Sequence, residues 1–210
     1  FLLTFSFCLL TSALLSQGVW TQKADFGGYN RHYAVGFSIG TKGYIGTGYF
    51  SSQITDSLFN DFWEWDQTSN IWTQKADFGG TARTNAIGFS IGTKGYLGIG
   101  GDVNGAKQDF WEWNQSTNTW IQKANFPGVL RYQTLGFSVG TKGYIGTGLS
   151  LQPTTYYKDF WEWDQTTNTW TQKTNFGGTA RRWALGFCVA NKGYIGTGYT
   201  NAGNTKDFWE

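Results

Sequence analysis

Residues 159–173 read DFWEWDQTTNTWTQK, and the same phrase stands at 61–75 (DFWEWDQTSNIWTQK) and at 109–123 (DFWEWNQSTNTWIQK). It begins again at 207–210 as DFWE, and its tail, WTQK, stands alone at 20–23. A segment repeated this closely is a structural unit, and such periodicity ranks above any local secondary-structure signal. From Trp20 through Trp72 and Trp120 to Trp170 the spacings are 52, 48 and 50 residues.

The length varies in one place. Trp to the Tyr of the KGY step is always 24 residues (Trp20 to Tyr44, Trp72 to Tyr96, Trp120 to Tyr144, Trp170 to Tyr194), and Asp61, Asp109 and Asp159 each precede the next Trp by 11. The segment from the second Gly of the GxG step to the Asp takes up the difference, at 13, 9, 11 and 9 residues. Only a surface loop absorbs insertions without shifting packed neighbours.

Each cycle reads as four short strands. In the first cycle they are Ala34–Ile39, Tyr44–Gly48, Asp61–Asp66 and Ile71–Lys75, with a tight turn at GTK-Gly43 and a polar hairpin at Gln67–Asn70. The first strand recurs at Ala86–Ile91, Leu135–Val139 and Leu185–Val189. A strand-rich unit of about 50 residues is the length of a propeller blade. Blades stack face to face, so both faces of each sheet are buried. That accounts for Phe62, Trp63 and Trp65 crowding one strand, and it makes Trp72, Trp120 and Trp170 expected core residues.

The order Arg, apolar strand, Tyr-x-Gly-x-Gly, aromatic strand, Thr-x-Asn-x-Trp resembles the kelch repeat over residues 20–210. The resemblance implies an all-β, kelch-type β-propeller fragment with three complete four-stranded blades and a partial fourth. The repeats fall at about 24–75, 76–123, 124–173 and 174–210. The glycine step departs from the family's double glycine, being GTG at Gly46–Gly48, Gly146–Gly148 and Gly196–Gly198, and a true pair only at Gly100–Gly101. Gln67, Gln115 and Gln165 stand where the family often has Pro. The wording is similar to kelch arrays of secreted bacterial proteins. In such rings an N-terminal strand completes the last blade, which gives Trp20–Lys23 a place, and rings of five to seven blades imply that two or more repeats lie outside this sequence. An open or imperfectly closed arc is therefore expected.

Residues 1–16, FLLTFSFCLLTSALLS, form a short apolar run with small and polar residues behind it. The pattern fits the apolar region of a signal peptide spanning 1–17, cleaved near Ser16–Gly18, with no stable transmembrane segment in the mature chain. Export to the medium or the cell surface is the expected localisation. The net charge is +2 and charged residues are 14%, which is no electrostatic footprint for nucleic acid. Glycine, at 30 of 210 residues, is about twice the usual ~7%. Cys8 lies in the apolar run, so Cys188 is left without a partner; it stands where other repeats carry Ser38, Ser90 and Ser138, and reads as a buried small side chain.

Arg31, Arg83, Arg131 and Arg181 recur at one position, as do Asp61, Asp109, Asp159 and Asp207, and Glu64, Glu112, Glu162 and Glu210. A catalytic residue is needed once, so charges present in every blade read as structural pairs. His32 is the sole histidine. With Cys188 it does not make up the copper ligand set of propeller radical oxidases, so no catalytic residue, metal or cofactor is expected. Asp102-Val-Asn104-Gly105 echoes a calcium loop but reads better as a plain turn.

Two loop sets differ between repeats: the stretch before the first strand (29–33, 81–85, 129–133, 179–183) and the variable-length loop (49–60, 101–108, 149–158, 199–206). Each follows an even number of strands, so both emerge on one face. The candidate ligand-binding set there is Arg31, Tyr33, Tyr49, Arg83, Arg131, Tyr132, Tyr156, Tyr157, Arg182, Trp183 and Tyr199. Tyr, Trp and Arg are the residues enriched at binding hot spots. The expected function is recognition of a protein or glycan through this face. The alternative is the propeller domain of a larger carbohydrate-active or galactose-oxidase-like enzyme, with its catalytic residues elsewhere.

Overall fold

The computed structural model describes residues 18–210; the signal-peptide reading of 1–17 lies outside the described residues. Each repeat folds into one antiparallel sheet with its strands in the order inner, second, third, outer. In the first blade these are Val35–Ile39, Lys42–Gly46, Phe62–Asp66 and Ile71–Gln74. The second blade has Ile87–Ile91, Lys94–Gly98, Phe110–Asn114 and Thr119–Lys123. In the third they are Leu135–Val139, Lys142–Gly146, Phe160–Asp164 and Thr169–Lys173. The fourth has three strands, Leu185–Val189, Lys192–Gly196 and Phe208–Trp209. No helix occurs among the described residues. The architecture is an all-β propeller of four blades, the last one incomplete.

The first turn of each blade sits earlier than the sequence suggests. Gly40, at φ 58°, and Thr41 form a two-residue turn between Ile39 and Lys42, the left-handed backbone that glycine adopts without penalty. Gly43 is inside the second strand, where its role is steric. In the next blades a Cβ on Gly95 would stand 2.5 Å from the Phe37 ring, and one on Gly193 would stand 2.6 Å from the Phe137 ring. Each of the first three blades thus inserts a phenylalanine into a glycine slot of the following blade, which sets the close approach of the sheets.

The inner strands line up around the axis and are tied by Ser90 Oγ donating to the Ser38 carbonyl (2.7 Å) and Ser138 Oγ donating to the Ser90 carbonyl (2.7 Å). Cys188 breaks this chain: its Sγ turns to the Ala190 carbonyl at 3.2 Å, and it is half-buried rather than buried. Between blades, Trp113 and Trp163 are wholly buried. Trp113 sits 5.1 Å from both Tyr44 and Phe62 of the preceding blade. The expected core residues Trp72, Trp120 and Trp170 are only half-buried, because the outer strand lies at the blade rim. Their indole N–H groups donate to the carbonyls of Ala24, Ala76 and Ala124, pinning the segment that enters the blade.

The repeated glutamates have the cationic partners their place in a packed strand requires. Glu64 is 6% exposed and accepts from Lys42 Nζ at 2.7 Å and Tyr44 Oη at 2.8 Å. Burial works against its charge, but Lys42, Tyr44 and Lys75 hold its carboxyl below the usual range. Tyr44 Oη in turn accepts from Gln115 of the second blade (2.7 Å), and Tyr96 Oη from Gln165 of the third (2.8 Å). Gln115 and Gln165 are thus inter-blade donors.

The far face of the fourth blade is uncovered. Leu185, Phe187 and Val189 are 68%, 46% and 56% exposed, against 4% for each of Ile87, Phe89 and Ile91 at the same positions of the second blade. The Gly43 slot of the first blade receives no ring from another blade. The described residues form the open arc that the sequence leads one to expect.

Candidate functional site

The segment of variable length is a small hairpin in every repeat. Tyr49–Ser51 pairs with Asp56–Leu58, Gly101–Asp102 with Gly105–Ala106, Leu149–Leu151 with Thr154–Tyr156, and Tyr199–Thr200 with Gly203–Asn204. The sequence predicts surface loops here, without strands of their own. A clearer signal was available in Asp102-Val-Asn104-Gly105, a turn flanked by short extended pairs, where Asp102 Oδ1 accepts from the Asn104 N–H at 2.8 Å.

Each hairpin is bridged to the stretch preceding its own inner strand: His32 with Tyr49, Thr84 with Gly101, Tyr132 with Leu149, Arg182 with Tyr199. The two varying loop sets therefore meet on one face. The residue following each bridge, Tyr33, Asn85, Gln133 or Trp183, lies in the left-handed region at φ 54°, 55°, 57° and 55°. These four positions stand at the head of the inner strands and so ring the axis. The Asn85 N–H donates to the Tyr33 carbonyl (3.3 Å), and the Trp183 N–H to the Gln133 carbonyl (3.0 Å). Left-handed backbone is costly for a residue as bulky as Trp or Tyr, and persists only where the surroundings fix it. Asn85 and Gln133 belong to this rim and were not singled out in the sequence; their offset from Tyr33 and Trp183 would have found them.

The structure divides the candidate residues in two. Arg31, Arg83 and Arg131 are drawn inside their blades and present no free guanidinium to a ligand. Arg83 is 1% exposed and grips Asp109 with both terminal nitrogens (2.6 and 2.7 Å), while Nη1 also donates to the Ile99 carbonyl and Nε to the Thr81 carbonyl. Arg31, Arg131 and Arg181 hold Asp61, Asp159 and Asp207 in the same way. Each guanidinium lies over a phenylalanine: Phe26, Phe78, Phe126 or Phe176. Burial works against the charge of Asp109 and Asp159, but the arginine and the indole N–H of Trp111 or Trp161 keep both carboxyls below their usual value. Tyr157 belongs with this clip, its ring 4.2 Å from the Arg131 guanidinium carbon.

The remaining candidates are on the hairpin face. Tyr33 and Trp183 are 50% and 44% exposed, and Tyr49, Tyr132, Tyr156 and Tyr199 are half-buried. Tyr132 leans over Gly101 of the preceding hairpin; burial, then the nearby Asp102 charge, pushes its hydroxyl pKa up. A cleft of about 740 Å³ runs between the second and third hairpins, lined by Asn104, Gln108, Leu130, Tyr132, Ser150 and Tyr157 among others. A second, of about 340 Å³, opens between the first two hairpins beside Tyr33, Tyr49 and Asn85.

Arg182 is placed differently from the other arginines. Its guanidinium carbon lies 4.1 Å from the Trp183 ring, 5.0 Å from Tyr199 and 5.7 Å from Tyr156 of the preceding blade. Nη1 donates to Gln133 Oε1 at 3.3 Å, and the buried Nε has no partner.

Among the described residues no three or more His, Cys, Asp or Glu gather to hold a metal, and no helix is long and apolar enough to cross a membrane. No protein-family model matches the chain, and no curated protein matches it.

Proposed function

We propose that this chain is a kelch-type binding module, exported to the medium or the cell surface, that recognises a glycan or protein through its hairpin face. A propeller fits a binding role in general. One observation carries the reading further. An identical backbone frame presents a different pair of side chains in each blade: His32-Tyr33, Thr84-Asn85, Tyr132-Gln133 and Arg182-Trp183. Structural needs repeat with the fold, whereas contacts to one asymmetric ligand do not. The kelch identity rests on the recurring Arg, Tyr-x-Gly-x-Gly and Asn-x-Trp positions, and export rests on the apolar run at 1–16.

The test is binding of the 210-residue chain to an array of immobilised polysaccharides and purified surface proteins, repeated with Tyr33→Ala combined with Trp183→Gly. The reading expects a ligand that the double variant loses while its unfolding midpoint stays in place. Full retention of binding by that variant would move the site off the rim.

A further inference from the structure

We infer that Arg182 is the anchor of an anionic subsite on the hairpin face, suited to the carboxylate of an acidic saccharide. The inference rests on that face being the binding face. Among the described residues Arg182 is the one arginine with no carboxylate within ion-pairing distance; Arg31, Arg83, Arg131 and Arg181 each hold an aspartate. A half-buried cation without a counter-charge is costly. Here it is held by three aromatic faces and one long hydrogen bond to Gln133, with Nε buried and unpartnered. Guanidinium is shaped to receive a carboxylate through two parallel hydrogen bonds. Its position is unique in the array: the bridging residues of the other blades are His32, Thr84 and Tyr132, so the charge answers no need of the fold.

The surroundings select the kind of anion. Trp183 and Tyr199 set flat apolar surface beside the charge, and Gln133 adds a neutral amide. Flat rings next to hydrogen-bonding groups match a sugar ring, which has an apolar C–H face and polar edges. An acidic peptide or a polyanion bound by charge alone needs a field of cations, and the chain carries a net charge of only +2. One cation among rings matches one carboxylate on one ring.

Calorimetry on the 210-residue chain with oligogalacturonate and with its methyl ester tests the charge, because the ester removes it and adds only a methyl group to each sugar. The acid is expected to bind at least about tenfold more tightly than the ester, the scale of a charge-assisted hydrogen bond, and the preference is expected to shrink in high salt. Arg182→Gln should bring acid and ester to the same affinity. Arg182→Lys, a point charge without the fork, should retain part of the preference. Equal binding of acid and ester, together with no acid preference for oligomannuronate or hyaluronan fragments against their esters, overturns the inference. So does a preference that survives Arg182→Gln, or hexaglutamate binding more tightly than any of the saccharides. Ester binding that Tyr33→Ala with Trp183→Gly abolishes, without an acid preference, would leave the hairpin-face reading standing and remove only this subsite. Acid binding untouched by that double variant would instead count against the hairpin face itself.

Discussion

Arg181 is 1% exposed and grips Asp207 at 2.6 and 2.7 Å, whereas Arg182, the next residue, meets three aromatic rings and no carboxylate. The pair marks the boundary between two regions of every blade. Inside is a clip of Arg, Asp, Trp and Phe that recurs with its partners in all four repeats. Above it is a rim whose backbone recurs but whose side chains do not. Under the proposed function the difference separates what the fold needs from what a ligand would need, and it can be tested from both sides.

The largest expected effect is at the clip. Arg131→Ala leaves Asp159 charged and without its partner in a closely packed site, so it should cost ~3–5 kcal/mol of stability in chemical denaturation. A loss under about 1 kcal/mol would place Arg131 in the same class as the rim residues.

Acid should act on the clip as well. Asp109 and Asp159 are held below their ordinary value of 3.8, and a carboxylate with a depressed folded pKa stabilises the fold fully above the unfolded value. Stability should therefore be level above about pH 5 and fall as the pH drops below 3.8 towards the lower folded values. Denaturant midpoints measured across that range check it, and a midpoint that rose on acidification would contradict the sign.

A smaller effect separates a filled blade interface from an open one. Gly95→Ala drives a methyl against the Phe37 ring, at 2.5 Å before relaxation, while the nearest neighbour at Gly43 is Trp65 at 3.8 Å. Gly95→Ala should cost ~1–3 kcal/mol, and Gly43→Ala should be neutral or stabilise by up to about 1 kcal/mol. Equal costs at the two sites would mean that the Phe–Gly slot is not what sets the blade spacing.

The smallest change in stability is expected at the rim. Trp183→Gly removes the stacking with Arg182 but relieves a left-handed backbone at φ 55°, so the midpoint should shift by no more than about 1 kcal/mol. A loss of several kcal/mol, by thermal or chemical melt, would return Trp183 to the structural class.

The contrast between clip and rim also explains what was legible in the sequence. Blade count, strand order and the pairing of the repeated charges follow from periodicity, because every blade meets the same packing demands. The seats of the tryptophans did not follow: Trp113 and Trp163 are buried and Trp120 is not, a distinction set by the neighbouring blade and not by local pattern. Arg31, Arg83 and Arg131 looked like rim residues because they sit three to four residues before the inner strand, yet the chain turns them inward onto Asp61, Asp109 and Asp159. The short hairpins were hidden because strands of two or three residues carry too little alternation to register. The rim itself was visible as non-repetition within a repeat, which is why Tyr33 and Trp183 could be named and the precise partners of Arg182 could not.

The most direct measurement takes one rim variant, Tyr33→Ala, Tyr156→Ala, Arg182→Gln and Trp183→Gly together, and measures its ligand binding and its unfolding midpoint on the same preparation. The account predicts that binding to the ligand found for the unaltered chain is lost while the fold persists, with a midpoint shift small beside that of Arg131→Ala. Undiminished binding by this variant would contradict it.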